Sequence, residues 1–402
     1  MKQKITLFLQ KIIQIFVLGS LVISILVAIA LAWLWPRYEY LPAEPVSFSV
    51  ERLSDTPIVD ISLSEKLTAL AEEEGYININ GPSIIAVPDW VENPLGKYYL
   101  YFSHHRGDSI RLAYADKIEG PWKVYEPGAL SLSASRFPAE SIPAVSLQEG
   151  IKELWNSVSI YLFRDSFLAV YNSLVSDQEL RRARGLKPVQ SLKAHIASPE
   201  VVVDNQNKQL VMFFHGQRDS LSQVSGIALS TDGLNYKAMD KKIAGVYLRS
   251  FEYQQDFYFL AAPGVLYRSD SLLGDYKPRH KSLFATDIRH SAVSLGGDKL
   301  TIVFSRAGDT PERLLLSTVD ISKPDWNDWA PTQAVEILRA EKTWEGADLP
   351  ALKSLRGETT VRSNDLRDPD LFVDTDGQQY LLYVGGGEQG IGIVRFAVDP
   401  KL

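Results

Sequence analysis

The sequence predicts an all-β fold, a five-bladed β-propeller preceded by a single N-terminal transmembrane helix. Two observations predict it. One strand–turn–strand grammar recurs five times, each copy followed by a third strand that ends near an Asp, and an uncharged apolar run lies close to the N-terminus.

The apolar run IIQIFVLGSLVISILVAIALAWLW occupies residues 12–35. At ~1.5 Å rise per residue it is long enough for a hydrocarbon core of about 30 Å. Lys2, Lys4 and Lys11 precede it, and Trp33 and Trp35 suit an interfacial belt. The positive-inside tendency makes residues 1–11 a cytoplasmic tail, with the large domain outside the cell membrane, periplasmic or extracellular. The membrane is then a partner through a single-pass signal anchor. A cleaved signal peptide is the alternative, with Ala30 and Ala32 as small residues near a cleavage site.

Residues 36–75 follow as a Pro-rich stalk and a short helix. SEKLTALAEEEG opens with Ser64 as N-cap and has helical spacing. Residues 76–402 form the propeller. Its units are GPSIIAVPDWVENPLGKYYLYF with IRLAYAD, ASPEVVVDNQNKQLVMFFHG with GIALSTD, LRSFEYQQDFYFLAA with GVLYRSD, RHSAVSLGGDKLTIVFSR with RLLLSTVD, and RDPDLFVDTDGQQYLLYVGGG with GIVRFAVD. GPWKVYE, NYKAM and DYKPR read as outer fourth strands. A four-stranded unit cannot bury both faces alone, and a ring of such units leaves no long edge exposed. Insertions at about 126–194 and 326–366 break the period and are expected over one face of the disc. The Asp and Asn residues between first and second strands, such as Asp204, Asp374 and Asp376, read as turn formers.

Composition narrows the function. A net charge of -7 with both signs mixed and no basic block argues against nucleic acid. The absence of Cys removes disulfides, thiol catalysis and cysteine metal sites.

In a propeller the inner strands line a central channel, so their starts meet at one mouth. Asn80, Ser198, Glu200, Arg249, Arg289, His290, Arg367 and Asp368 fall there, and the loops after the second strands add His104, His105, Asp108, His215 and Glu388. Arginines at a polar mouth suit carboxylate, phosphate or sugar hydroxyls. Asn80, His104, His215, Arg249, Arg289, His290, Arg367 and Asp368 are the candidate ligand-binding residues. His104 and His105 are neighbours near a strand end and point to opposite faces, so they do not chelate one ion together. No metal site is assigned from the residues. The filling of the channel, a Ca²⁺ ion or a water cluster, is left open.

The RDP start of unit five, its DG turn and its YLLYV strand, with GPSIIAVPDW, KYYLYFSHHRGDSIRLAYAD and KIEGPW of unit one, resemble the five-bladed glycoside hydrolases of the arabinanase, xylosidase, levansucrase and invertase group. The resemblance covers about residues 77–399. It implies hydrolysis of O-glycosyl bonds by three acids, a base or nucleophile in blade one, an orienting Asp in blade two and a Glu acid in blade three. The matching places hold Gly81, Ser198, and Tyr247 or Arg249, and Asp368 of unit five is not in the base position. Glycoside chemistry through displaced groups then falls to Asp108, His105, Glu200 and Glu252, with an Asp108–His105 pair as one option. The other readings are a non-catalytic glycan-binding propeller, a phosphorylase-like enzyme on glycosides, and a structural domain. Carbohydrate is the expected ligand in every reading but the structural one.

Overall fold

The structure is a computed structural model that describes residues 40–43, 47–105, 107–144, 180–182, 193–220, 222–243, 245–279, 281–285 and 288–398. Among these, five four-stranded antiparallel sheets form a five-bladed propeller. No helix among the described residues is long and apolar enough to cross a membrane. The α-helix Glu65–Glu74 has 10 residues, about 15 Å, half of what a hydrocarbon core needs. The expected span at residues 12–35 lies outside the described residues. The fold class is therefore corrected to the propeller alone. The membrane anchor, the membrane as partner and the single-pass location lose their support with it and are not carried further.

Blade one comprises Asn80–Ala86, Tyr98–Ser103, Ser109–Ala115 and Lys123–Ser131. Blade two comprises Ile196–Asp204, Gln209–Gln217, Gln223–Ser230 and Lys237–Ile243. Val246–Tyr253, Asp256–Ala262, Val265–Ser269 and Lys277–Pro278 make blade three. Ile288–Gly296, Lys299–Arg306, Leu314–Asp320 and Val335–Leu338 make blade four. Blade five takes Leu366–Val373, Gln379–Gly385 and Gly390–Val398 from the C-terminal part, and its outer strand is Phe48–Arg52. That strand, expected within the stalk, pairs antiparallel with the last strand from Phe48 opposite Val398 to Arg52 opposite Val394. One blade built from both ends of the domain closes the ring and covers a sheet edge that would otherwise be open. Five residues of alternating exposure give no sequence signal of their partner strand.

The packing follows from the period of two along each second strand. In blade one, Leu100 and Phe102 face blade five with Leu382, Val384 and Ile393. Tyr99 and Tyr101 face blade two with Leu210, Met212 and Phe214. Val211 and Phe213 then meet Phe259 and Ala261, Tyr258 and Leu260 meet Ile302 and Phe304, and Val303 meets Leu381 and Tyr383. A second strand buried on both faces must be apolar throughout, which is why KYYLYF and LVMFF read as continuous runs. The turn residues are scaffold: Asp204 accepts from Asn207 N–H at 3.0 Å, and Gly377 N–H donates to the Asp374 carbonyl at 2.9 Å.

Candidate functional site at the channel mouth

Each inner strand carries the same irregularity near its start. The pairing register shifts between Asn80 and Ser83, Ala197 and Glu200, Val246 and Arg249, Ile288 and Ser291, and Arg367 and Asp370. The two residues inside each bulge are released from the ladder, and several of them line the mouth. They are Gly81-Pro82, Ser198-Pro199, Tyr247-Leu248, Arg289-His290 and Asp368-Pro369. Gly81, Ser198, Tyr247 and Asp368 adopt φ between 48° and 59°. Proline follows in three blades, where a missing N–H loses no ladder bond.

Three residues after each of these shifts begin, a second ring lines the channel: Ser83, Glu200, Arg249, Ser291 and Asp370. It works as a set of latches between neighbouring blades. Ser83 Oγ accepts from Val201 N–H at 3.0 Å. Glu200 Oε1 accepts from the Ser250 N–H at 2.8 Å and hydroxyl at 2.7 Å. Asp370 Oδ2 accepts from Ile84 N–H at 3.0 Å. Glu200 Oε2 lies 2.8 Å from Arg249 Nη1, so both Glu200 oxygens are engaged. Burial pushes the Asp370 carboxyl up to about 7, with the Glu200 charge adding to the rise and Arg249 opposing it.

At the mouth itself, Gly81, Ser198, Tyr247, His290 and Asp368 line a hollow of about 10 Å³, room for one water or one ligand hydroxyl. His290 Nδ1 contacts Asp368 Oδ1. Asp368 Oδ2 is buried without a hydrogen-bond partner among the described residues. The Tyr247 ring sits between two histidines, 4.0 Å from His290 and 4.4 Å from His215 by ring centroids. Burial drives both histidines well below the usual imidazole range. For His290 the nearby Arg289 adds to it, and for His215 the nearby His195 does. They are neutral at pH 7.

Beside the hollow lies a buried charge cluster. Arg367, 1% exposed, holds Asp365 Oδ2 at 2.9 Å and Glu312 Oε2 and Glu388 Oε1 at 3.3 Å each. Arg289 Nε donates to Glu312 Oε1 at 2.8 Å, and its two terminal nitrogens donate to the carbonyls of Leu355 and Gly357. His105 Nδ1 is 3.6 Å from Glu388 Oε1 and 3.2 Å from Asn80 Nδ2. Burial alone would raise the Glu388 carboxyl, but His105, Arg367 and Arg289 hold it down at about 2.

The candidate residues thus divide. His105, Asn80, Arg289 and Arg367 meet in the charge cluster, His290, Asp368 and His215 around the hollow, and Glu200 and Arg249 in the ring below. His105 pairs with Glu388, not Asp108, whose side chain is exposed and accepts from the Ser109 hydroxyl at 3.1 Å. Glu252 is exposed further along its inner strand, opposite Phe257. His104, just past the end of its strand, turns to different partners from His105, and its Nε2 is 2.5 Å from Glu74. Sequence reasoning missed Glu312, Asp365 and Asp370. The acids spaced around Arg367 in DLRDPD were a usable signal for the last two. The insertion segment 355–359 was expected over one face, and it caps Arg289 and Arg367.

A chain of 31% identity, uncharacterized protein R118 of Acanthamoeba polyphaga mimivirus, aligns over 344 residues, 79% of this chain and 83% of that one. The chain belongs to the family of that mimivirus protein. No family model matches it. Among solved structures, this mimivirus-family propeller resembles family-43 glycoside hydrolases at low identity. One is a GH43 enzyme from Xanthomonas citri complexed with xylotriose (11% identity, 87% of this chain and 90% of that one, TM-score 0.48). Another is an RS223 β-xylosidase (12%, 86% and 97%, TM-score 0.46). A third is an exo-1,5-α-L-arabinanase from a bovine ruminal metagenomic library (9%, 80% and 93%, TM-score 0.41). In this member of the mimivirus family Gly81 packs closely against blade two. A Cβ on Gly81 would stand 3.0 Å from Ser198 Cα and 3.3 Å from its Oγ. Gly81→Asp is expected to lower stability by about 1–3 kcal/mol through overpacking, although Asp tolerates the positive φ, as Asp368 does. Urea unfolding of the variant checks this.

Proposed function

We propose that the protein is a carbohydrate-binding propeller that does not hydrolyse its ligand. One observation carries the reading: Gly81, Ser198, and Tyr247 or Arg249 stand where the resemblance expects three acids, and the carboxylates around the mouth are tied to arginine, histidine or backbone N–H groups. Glycoside hydrolysis needs one carboxylic acid to give a proton and a second carboxylate to act on the sugar or a water. Glu388, held ionised near 2, is a poor proton donor at neutral pH. Asp368 Oδ2 is an acceptor suited to a ligand hydroxyl entering the hollow, and Tyr247 offers an aromatic ring beside it. A phosphorylase-like site would need cationic groups left for phosphate. Arg289 and Arg367 already bind carboxylates and carbonyls.

The test is the full chain on a panel of glycans, with and without phosphate, scored for binding and for product. Binding without product is expected, with at least tenfold weaker binding in Asp368→Asn. Product that disappears in Asp368→Asn or Glu200→Gln overturns the reading in favour of hydrolysis. No binding to any glycan overturns the carbohydrate assignment.

A further inference from the structure

We propose that the Arg249 guanidinium is the resident cation of the channel axis, and that the protein therefore has no use for a metal ion there. The question of a channel Ca²⁺ is decided by what the axis presents to it. Arg249 Nε donates to the Ser291 carbonyl at 3.0 Å, Nη1 to the Pro199 carbonyl at 3.1 Å, and Nη2 to the Pro82 carbonyl at 2.9 Å and the Pro369 carbonyl at 3.3 Å. Those carbonyls come from blades four, two, one and five, so one side chain from blade three is bonded to every other blade. Glu200 Oε2 at 2.8 Å and Asp370 Oδ1 at 3.9 Å supply the counter-charge. Arg249 is 7% exposed.

The oxygens around it are those a hard cation selects: backbone carbonyls and carboxylates, six in all when Glu200 and Asp370 are each taken once, within the range of six to eight that Ca²⁺ takes. A guanidinium already lies among them, its fork matched to several acceptors at once. A divalent ion in the same place would meet a fixed positive charge at a few ångströms. The residues do not fit a channel metal while Arg249 is there. Three of the bulge positions explain why the carbonyls are free to serve. Pro82, Pro199 and Pro369 sit inside the register shifts, outside the ladder between inner and second strands.

The experiment is thermal unfolding of the full chain in EDTA and in excess CaCl₂, with elemental analysis of the protein as purified, repeated for R249A. The wild type is expected to hold no stoichiometric calcium and to shift by less than about 1 °C between the two buffers, as a protein with no ion to lose must. R249A in EDTA is expected to unfold about 10 °C lower, because it removes the cation from Glu200 Oε2 and the donor from four carbonyls. Calcium should recover several degrees of that loss, by entering the vacated oxygen cage. A wild-type Tm that falls several degrees on chelation, or one calcium per chain, overturns the proposal. So does an R249A protein as stable as wild type in EDTA, or one destabilised yet indifferent to calcium. If R249A does not fold, the wild-type arm decides alone.

Discussion

Arg367→Met is expected to cost about 3–5 kcal/mol of folding stability, the usual loss when one partner of a buried ion cluster is removed. Asp365, Glu312 and Glu388 all lie within 3.3 Å of its guanidinium, and the arginine is fully enclosed. Methionine fills most of the volume but leaves three carboxylates without their shared cation. Arg289 relieves only Glu312 directly, and His105 only Glu388. Arg367→Lys should recover little, since a point charge on one nitrogen cannot reproduce contacts that two terminal nitrogens make to three acids and to the Thr359 hydroxyl at 2.8 Å. Urea unfolding with both variants checks this. A loss under 1 kcal/mol in Arg367→Met would show that the cluster is solvated or rearranges.

Stability is expected to fall as pH drops below about 6, before ordinary carboxylates titrate. His215 and His290 are held neutral in the folded chain by burial. Their folded values are depressed, so the unfolded chain binds protons first. Stability is full above the unfolded imidazole value of about 6.5 and declines below it, by about 1.4 kcal/mol per pH unit for each histidine. Asp370 works in the opposite sense. Its folded value is raised to about 7, so between about 7 and 4 the folded chain takes a proton first and gains stability as pH falls. Two histidines against one aspartate nearly cancel around pH 6.5 to 7 and leave a net loss below about pH 6, approaching about 1.4 kcal/mol per pH unit while both rings stay neutral in the folded chain. Below 4.5 Glu388, held near 2, adds a second net loss in the same direction. Urea midpoints at pH 7.5, 6 and 5 measure the slope. His215→Asn should remove about half of the histidine contribution and flatten the curve. A midpoint that rises from pH 7.5 to 5 would mean that Asp370 outweighs both rings.

The placement of residues near the mouth was legible in the sequence, because bulge residues sit at fixed offsets from strand starts. The G-P-S, S-P-E and D-P-D triplets mark the bulge in blades one, two and five, next to Asn80, Ser198, Glu200, Arg367 and Asp368. The partners were less legible. His105 had Asp108 as its near neighbour in sequence, yet it meets Glu388, which follows the second strand of blade five as His105 follows that of blade one. Blades one and five adjoin only because the ring closes. The same closure put Phe48–Arg52 at the outer edge of blade five rather than in a stalk.

By itself, the sequence determined the five strand–turn–strand units, the apolar second strands and the turn residues, because these depend on periods of two and on local backbone chemistry. Only the tertiary structure decided that Glu200 is a latch between blades, that Arg249 spans four other blades, and that Arg367 gathers three carboxylates. Those contacts join residues up to 167 positions apart. Charge pairing at such separation is set by where the ring brings strands together, and no local pattern encodes it.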